Sequence, residues 1–186
     1  MIDLAATEGF DWDDGNSRKS LHKHDVTQAE AEQVFAGDPL LAGDFGHSQV
    51  EVRFQALGET IEGRRLHVTF TLRGDGKKIR VISARDMNRK ERAYKEPIMN
   101  KKLKPIPKFR SEAAERKFWE THDSTDYLDW SKAQRARFPN LKLSTTAISL
   151  RLPQGTLDRI KVAANKRDVP YQSLIKVWLA EKLDTE

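Results

Sequence analysis

The spacing of apolar and polar positions predicts three strands in the first half of the chain. In EVRFQALGET the apolar positions Val52, Phe54 and Ala56 alternate, and in RRLHVTFTLR Leu66, Val68, Phe70 and Leu72 do. KKIRVISAR continues the pattern through Ile79, Val81 and Ser83. A period of two places one face of each strand against a core. The connections IEGR and GDGK are short and contain glycine, which predicts an antiparallel meander of two hairpins. Ahead of it, Asp13 is placed to cap a short helix running to about His24. TQAE at 27–30 has the spacing of a capping box, with Ala31, Val34 and Phe35 on one face of a helix that GDP stops. A last short helix, about Asn88 to Lys95, closes the segment. The first half therefore reads as α+β: two helices, an antiparallel sheet and a C-terminal helix.

From Met99 onward the pattern changes. KKLKPIPKF holds two prolines and cannot be the interior of a helix. Ser111 caps a predicted helix, EAAERKFWETH, and DSTDYLDW, with Tyr127 and Trp130 three apart, predicts a helical turn. After the connector RFPNLKLS comes one alternating strand, TTAISLRLP, then two helices of about Gln154 to Lys166 and Tyr171 to Leu183. Leu157, Ile160 and Ala164 stripe the first; Leu174, Ile175, Trp178 and Leu179 stripe the second. One strand and two helices in about 40 residues cannot close a core alone. The simplest partner is a second copy, which builds a two-stranded ribbon on a helical base, a shape that fits the major groove of DNA. In that arrangement Ile148, Leu150 and Leu152 face the helices. Thr145, Ala147, Ser149 and Arg151 project towards base edges. The amides at Pro170 to Gln172 lie where a helix start can hold a backbone phosphate.

Composition sharpens this picture at two points. The chain contains no cysteine, which excludes disulfides and thiolate metal sites and suits a reducing cytoplasm. The net charge of +5 is unevenly spread: residues 1–72 hold 6 Lys+Arg against 13 Asp+Glu, whereas residues 73–95 hold 9 against 3. A basic block after an acidic half points to nucleic acid or to an acidic partner, the plain alternative being a solvated lysine-rich face. The opening MIDLAATEGFDWDD lacks a basic n-region and an apolar run, and no apolar stretch reaches membrane-spanning length, so a cytoplasmic protein without membrane contact is expected.

Two longer motif sets carry resemblances. FDWDDGNSRKSLHKHDVTQAEAEQVF, with VRFQALG and RVISARDMNRKERAYKE, resembles the BrnT-like toxins, whose fold is similar to RelE-type ribonucleases. That family's pattern usually has Lys where this chain has Asn16, Asn at Ser20 and Gly at Asp25. KPIPKFRSEAAERKFWETHDSTDYLDWSKAQRARFPNLK and ISLRLPQGTLDRIKVAANKRDVPYQSLIKVWLAEKL resemble the BrnA-like, CopG-type ribbon-helix-helix antitoxins. The resemblances imply a toxin ribonuclease domain at 1–96, a linker and neutralising segment at 97–143, and a DNA-binding and dimerisation domain at 144–186. RAYKE then reads as a toxin's end and MNKKLKPIPKF as an antitoxin's start, with Met99 at a seam between two products usually made separately. A natural fusion and an engineered tether both fit.

RNA cleavage without a metal needs a base for the 2′-hydroxyl, cations for the phosphorane and an acid for the leaving oxygen. No histidine here has a carboxylate or thiol at ligand spacing, so neither metal nor cofactor is expected. Arg85, Arg53 and Arg73 come from neighbouring strands and can clamp a phosphate if they share a face. Lys23, His24 and Tyr94 are the candidates for proton transfer, while Arg89 and Arg92 are candidate RNA contacts, or a solvated face. Phe118, Trp119, Tyr127 and Trp130 are the aromatic anchors expected where residues 105–140 wrap the toxin-like unit. The partners implied are operator DNA, an RNA substrate and a second copy of the chain, with pairing of dimers into tetramers left open. Two other readings are a transcriptional regulator with an inactive N-terminal module and an RNA-binding module without catalysis.

Overall fold

The computed structural model describes residues 4–13, 15–16, 19–44, 52–93, 103–183 and 185. After a 3-10 turn at Leu4–Ala6 come β1 (Gly9–Phe10), α1 (Lys19–His24), α2 (Gln28–Ala36), β2 (Leu40–Asp44), β3 (Arg53–Glu59), β4 (Arg65–Arg73), β5 (Lys78–Asp86) and α3 (Arg89–Arg92). They are followed by α4 (Glu112–Trp119), 3-10 turns at Ser124–Asp126 and Trp130–Lys132, β6 (Gln134–Arg135), α5 (Gln154–Asn165) and α6 (Tyr171–Leu183). Contacts divide the chain into two units, Met1–Thr145 and Thr146–Glu186, so the segment after the seam folds with the first half as far as Thr145.

Local signals explain most of these elements. Thr27 accepts from the Glu30 amide while the Glu30 carboxylate receives the Thr27 amide, the reciprocal capping box its spacing predicts. Asp25 ends α1 at φ 53°, the left-handed conformation that a short polar side chain tolerates. Gly74, Asp75 and Gly76 all have positive φ, at 58°, 55° and 88°, so the tight return between β4 and β5 depends on residue types that reach that region. One expectation shifts at Asp13. Its carboxylate accepts from the Gly15 and Asn16 amides, at 2.7 and 3.1 Å, and so forms a local turn instead of a cap; the helix begins at Lys19.

The sheet runs β1-β5-β4-β3-β2-β6. The predicted meander of β3, β4 and β5 is present and antiparallel. The expectation of a wholly antiparallel sheet is corrected, because β1 pairs parallel with β5. A two-residue strand is too short to show a period, and long-range backbone pairing alone creates it: Asp11 N–H donates to the Ile79 carbonyl at 2.8 Å. β6, QR, is invisible to periodicity for the same reason, and the five residues of β2, LLAGD, do not alternate.

One face of the sheet carries Phe54, Ala56, Leu66, Val68, Phe70, Ile79, Val81 and Ala84, packed against Ala31, Val34 and Phe35 of α2 and against Phe138. A Cβ on Gly58 would lie 2.8 Å from Val34 Cγ1, so β3 approaches α2 to a distance only glycine permits. A register shift between Thr69 and Phe70 corrects the reading of β5: Phe70 pairs with Val81, but Thr69 with Ser83. The bulge inserts Ile82, so Ser83 turns to the opposite face and brings Arg85 with it. That second face is polar, carrying Gln55, His67, Thr69, Thr71, Arg80, Ser83 and Arg85, yet all seven are buried.

In the second unit Ala164 of α5 and Leu174 of α6 are buried, and the Arg167 guanidinium lies 5.5 Å from the Trp178 ring centroid. Asp168 at φ 53° turns the chain between the two helices. Residues 144–153 join no strand pair among the described residues, and Ile148 and Leu150 are 79% and 61% exposed. The expected facing of these two residues towards the helices belongs to a paired ribbon; in the single chain the segment has no neighbouring strand to pair its backbone and both are exposed. Val162, Val177 and Leu179 are exposed as well.

Candidate active site

The buried polar face is where the cations of β3, β4 and β5 meet the segment after the seam. Arg85 is 3% exposed and spends all five of its N–H groups. Two go to the Glu91 carboxylate, at 2.7 and 2.9 Å, and one to the Asp86 carbonyl at 2.9 Å. The other two go to the carbonyls of Trp119 and His122, at 2.7 and 3.0 Å. Glu91 in turn accepts from Ser124 Oγ at 2.5 Å and from the Ser124 amide at 3.0 Å. Burial by itself would raise the Glu91 carboxyl; the adjacent guanidinium and these donors hold it well below the carboxylate range.

Around this pair, acidic side chains of the covering segment meet cations of the sheet and of its flanking helices. Arg53 Nε donates to Glu115 at 2.9 Å. Arg80 is bound by Glu112 at 3.0 Å and by Asp13 at 2.8 Å, and Arg73 reaches Glu112 at 3.3 Å. Lys23 pairs with Glu120 at 2.7 Å, and Lys90 with Asp126 at 3.1 Å. Burial would raise Glu112, but the Arg80 hydrogen bond and the nearby Arg53 and Arg73 charges bring it below its ordinary value. The exchange also runs the other way: Arg116, buried on α4, donates to the Ile82 carbonyl at 2.6 Å, at the bulge.

Of the candidates read from the sequence, Arg85, Arg53, Arg73, Lys23 and His24 are thus gathered on or beside one face. His24 Nε2 is 4.0 Å from Glu120, and burial depresses its basicity, with Arg85 and Lys23 adding to the effect and Glu120 opposing it. Arg89 is exposed on α3, and Arg92 donates to the Met87 carbonyl at 2.8 Å, so neither reaches the face. Tyr94 and the seam at Met99 lie outside the described residues. The aromatic anchors form one cluster: Phe118, Trp119 and Tyr127 make edge-to-face contacts at 4.9–5.8 Å, and Trp119, Leu128 and Trp130 pack with Ala42, Leu57 and Met87. Thr145, Ala147, Ser149 and Arg151 are all exposed. Arg80 and His67 escaped the sequence reading; the signal for Arg80 was its place among alternating positions of β5, which the bulge disguised.

Strand addition completes the cover. β6 pairs antiparallel with β2, and the Ala136 amide donates to the Pro39 carbonyl at 2.9 Å, so the same segment that caps the polar face also extends the sheet edge. Among the described residues no group of three His, Asp or Glu side chains is arranged to hold a metal ion, and no helix is long and apolar enough to cross a membrane.

Glu112 and Glu115 of a later segment thus close over a cationic sheet face within the same polypeptide. Residues 12–91 match the family described as ribonuclease toxin, BrnT, of type II toxin-antitoxin system, and residues 104–182 match the CopG antitoxin of type II toxin-antitoxin system. The two matches follow one another along this one chain. Among solved structures, the ribonuclease toxin BrnT of Brucella abortus is 21% identical, over 45% of this chain and 100% of that one, with a TM-score of 0.33. No curated protein matches the chain.

Proposed function

We propose that residues 1–96 form a ribonuclease toxin that uses the RNA's own 2′-hydroxyl as nucleophile, and that residues 97–143 neutralise it by occupying its phosphate-binding face. Residues 144–186 dimerise and bind operator DNA, through which the chain represses its own transcription. The observation that carries the reading is the pairing of Arg53 with Glu115 and of Arg80 with Glu112, with Arg85 capped by two backbone carbonyls. Carboxylates and carbonyls stand where the oxygens of a phosphodiester would otherwise lie. Because inhibitor and site share a chain, the cover acts at an effective concentration in the millimolar range, given a linker able to span the two.

The test is charge reversal on the full chain. Glu112→Lys/Glu115→Lys/Glu120→Lys places three cations against Arg53, Arg80 and Lys23 and should open the cover. The expected outcome is growth inhibition on expression and cleavage of RNA by the purified variant, with neither produced by the parent chain. An opened chain that leaves RNA intact would refute the toxin reading. It would favour instead a DNA-binding regulator with an inactive N-terminal module. One feature speaks for that second reading: Asn16, where the BrnT-like pattern has Lys, is buried and bonds the Asp11 and Val81 carbonyls at 3.0 and 3.1 Å instead of reaching the face.

A further inference from the structure

His67 lies at the centre of the covered face, on β4, with Leu57 of β3 and Arg85 of β5 as its cross-strand partners. It is fully buried, and among the described residues neither Nδ1 nor Nε2 has a hydrogen-bond partner. It is not alone in this: Gln55 Nε2, on the same face, and Trp119 Nε1, in the cover, are also unpartnered. Buried polar groups are normally satisfied, because leaving them unmade forfeits their hydration without return. The cover therefore answers the charges of this face but not its neutral polar groups. Such a face is shaped for a ligand other than the segment now lying on it.

The groups facing His67 are the Arg85 guanidinium, the Glu91 carboxylate of α3 and the Trp119 ring, whose centroid is 6.2 Å away. Burial, reinforced by Arg85 and opposed by Glu91, pushes the imidazole down to about 3, so under the cover it is neutral and has nothing to exchange a proton with. Removing Trp119 would admit water and return it towards its ordinary value of about 6.5. We propose that His67 is the proton acceptor of the RNA-cleaving site, silenced by burial beneath Trp119 and brought into action when the covering segment departs. This rests on the ribonuclease reading above. In the step it serves, the neutral imidazole takes the 2′-hydroxyl proton as the O2′–P bond forms. The P–O5′ bond breaks with its electron pair on O5′, which takes a proton from water, and the imidazolium returns its proton to solvent. The products are a 2′,3′-cyclic phosphate end and a 5′-hydroxyl, and Arg85 beside His67 holds the phosphoryl oxygens.

The experiment uses the full-length opened chain, Glu112→Lys/Glu115→Lys/Glu120→Lys, with and without His67→Asn. Labelled-histidine NMR should show His67 neutral down to at least pH 4 in the parent and titrating near neutrality in the opened chain. His67→Asn should slow RNA cleavage roughly 10²–10⁴-fold and abolish the acidic limb of the pH–rate profile. Cleavage that survives His67→Asn undiminished overturns the proposal and leaves the ribonuclease reading standing; no cleavage by the opened chain ends both. Should His67→Asn fail to fold, the acidic limb of the opened chain must still coincide with the NMR titration of His67, and a separation of one pH unit or more overturns the assignment.

Discussion

Glu91→Ala tests how the cover is fastened. Glu91 is 2% exposed and joins three pieces of chain through one carboxylate: β5 by way of Arg85, its own short helix, and Ser124 through both amide and hydroxyl. Its removal leaves the Arg85 guanidinium buried with carbonyl partners but no counter-charge, which costs about 3–5 kcal/mol. At a urea slope of about 2 kcal/mol/M the midpoint should fall by about 2 M. Ser124→Ala removes the hydroxyl's hydrogen bond to a charged acceptor and the one it accepts from Trp130 Nε1, and should cost about 1.5–3 kcal/mol, whereas Arg85→Met/Glu91→Met, which leaves no orphaned charge, should cost less than Glu91→Ala alone. Two of the four tryptophans, Trp119 and Trp130, lie in the covering segment, so in a Trp12→Phe/Trp178→Phe background tryptophan fluorescence follows its release while far-UV circular dichroism follows the rest. The pH dependence has a fixed sign. Glu91 is depressed in the folded state, so its contribution is complete above its ordinary value near 4.5 and is lost as the pH falls below it. A midpoint shift for Glu91→Ala no larger than that for Ser124→Ala, or a double methionine variant less stable than Glu91→Ala, would refute the reasoning.

Other consequences can be checked separately. Gly58→Ala places a methyl 2.8 Å from Val34 Cγ1 and should destabilise the first unit by about 1–3 kcal/mol in thermal melts, with Gly63→Ala at an open turn as a comparison dominated by backbone strain. Thr27→Ala removes the capping box of α2 and should cost about 1 kcal/mol by urea denaturation. Arg151→Ala should weaken operator binding by about 1–3 kcal/mol at one base pair; an equal loss on every sequence, with a shallower salt dependence, would make Arg151 a phosphate contact. Leu150→Asp, which charges an exposed apolar position on the unpaired strand, should lower the oligomeric state seen by sedimentation if a second copy covers that position.

Much of this protein is legible in its sequence because the deciding interactions are local. Thr27 and Glu30 announce a helix start, Ser111 another, and the alternation of Leu66, Val68 and Phe70 announces a strand with one face inward. The two helices after Pro153 follow from their apolar stripes alone. So does the need for a partner, since neither the stripes nor Ile148 and Leu150 find enough cover within the chain. Motif length supplied the family resemblances, and residue type supplied the cationic candidates Arg53 and Arg85.

What lay beyond the sequence depends on pairing between distant residues. A single inserted residue, Ile82, reverses the facing of everything after it on β5, and so puts Arg85 on the same side as Arg80 and opposite Val81. β1 and β6 are too short to carry a period and β2 does not alternate, so all three rest on a neighbouring strand that offers amides and carbonyls to pair with. The matching of Glu112 to Arg80 and of Glu115 to Arg53 joins residues 32 and 62 positions apart, and nothing in either local stretch records its partner. Sequence therefore determined most of the elements and what chemistry they carry; tertiary structure alone decided that the cations share one face and that a helix bearing Glu112 and Glu115 lies across it. It also decided that His67, an ordinary polar position in an alternating strand, is buried there without a hydrogen-bond partner among the described residues.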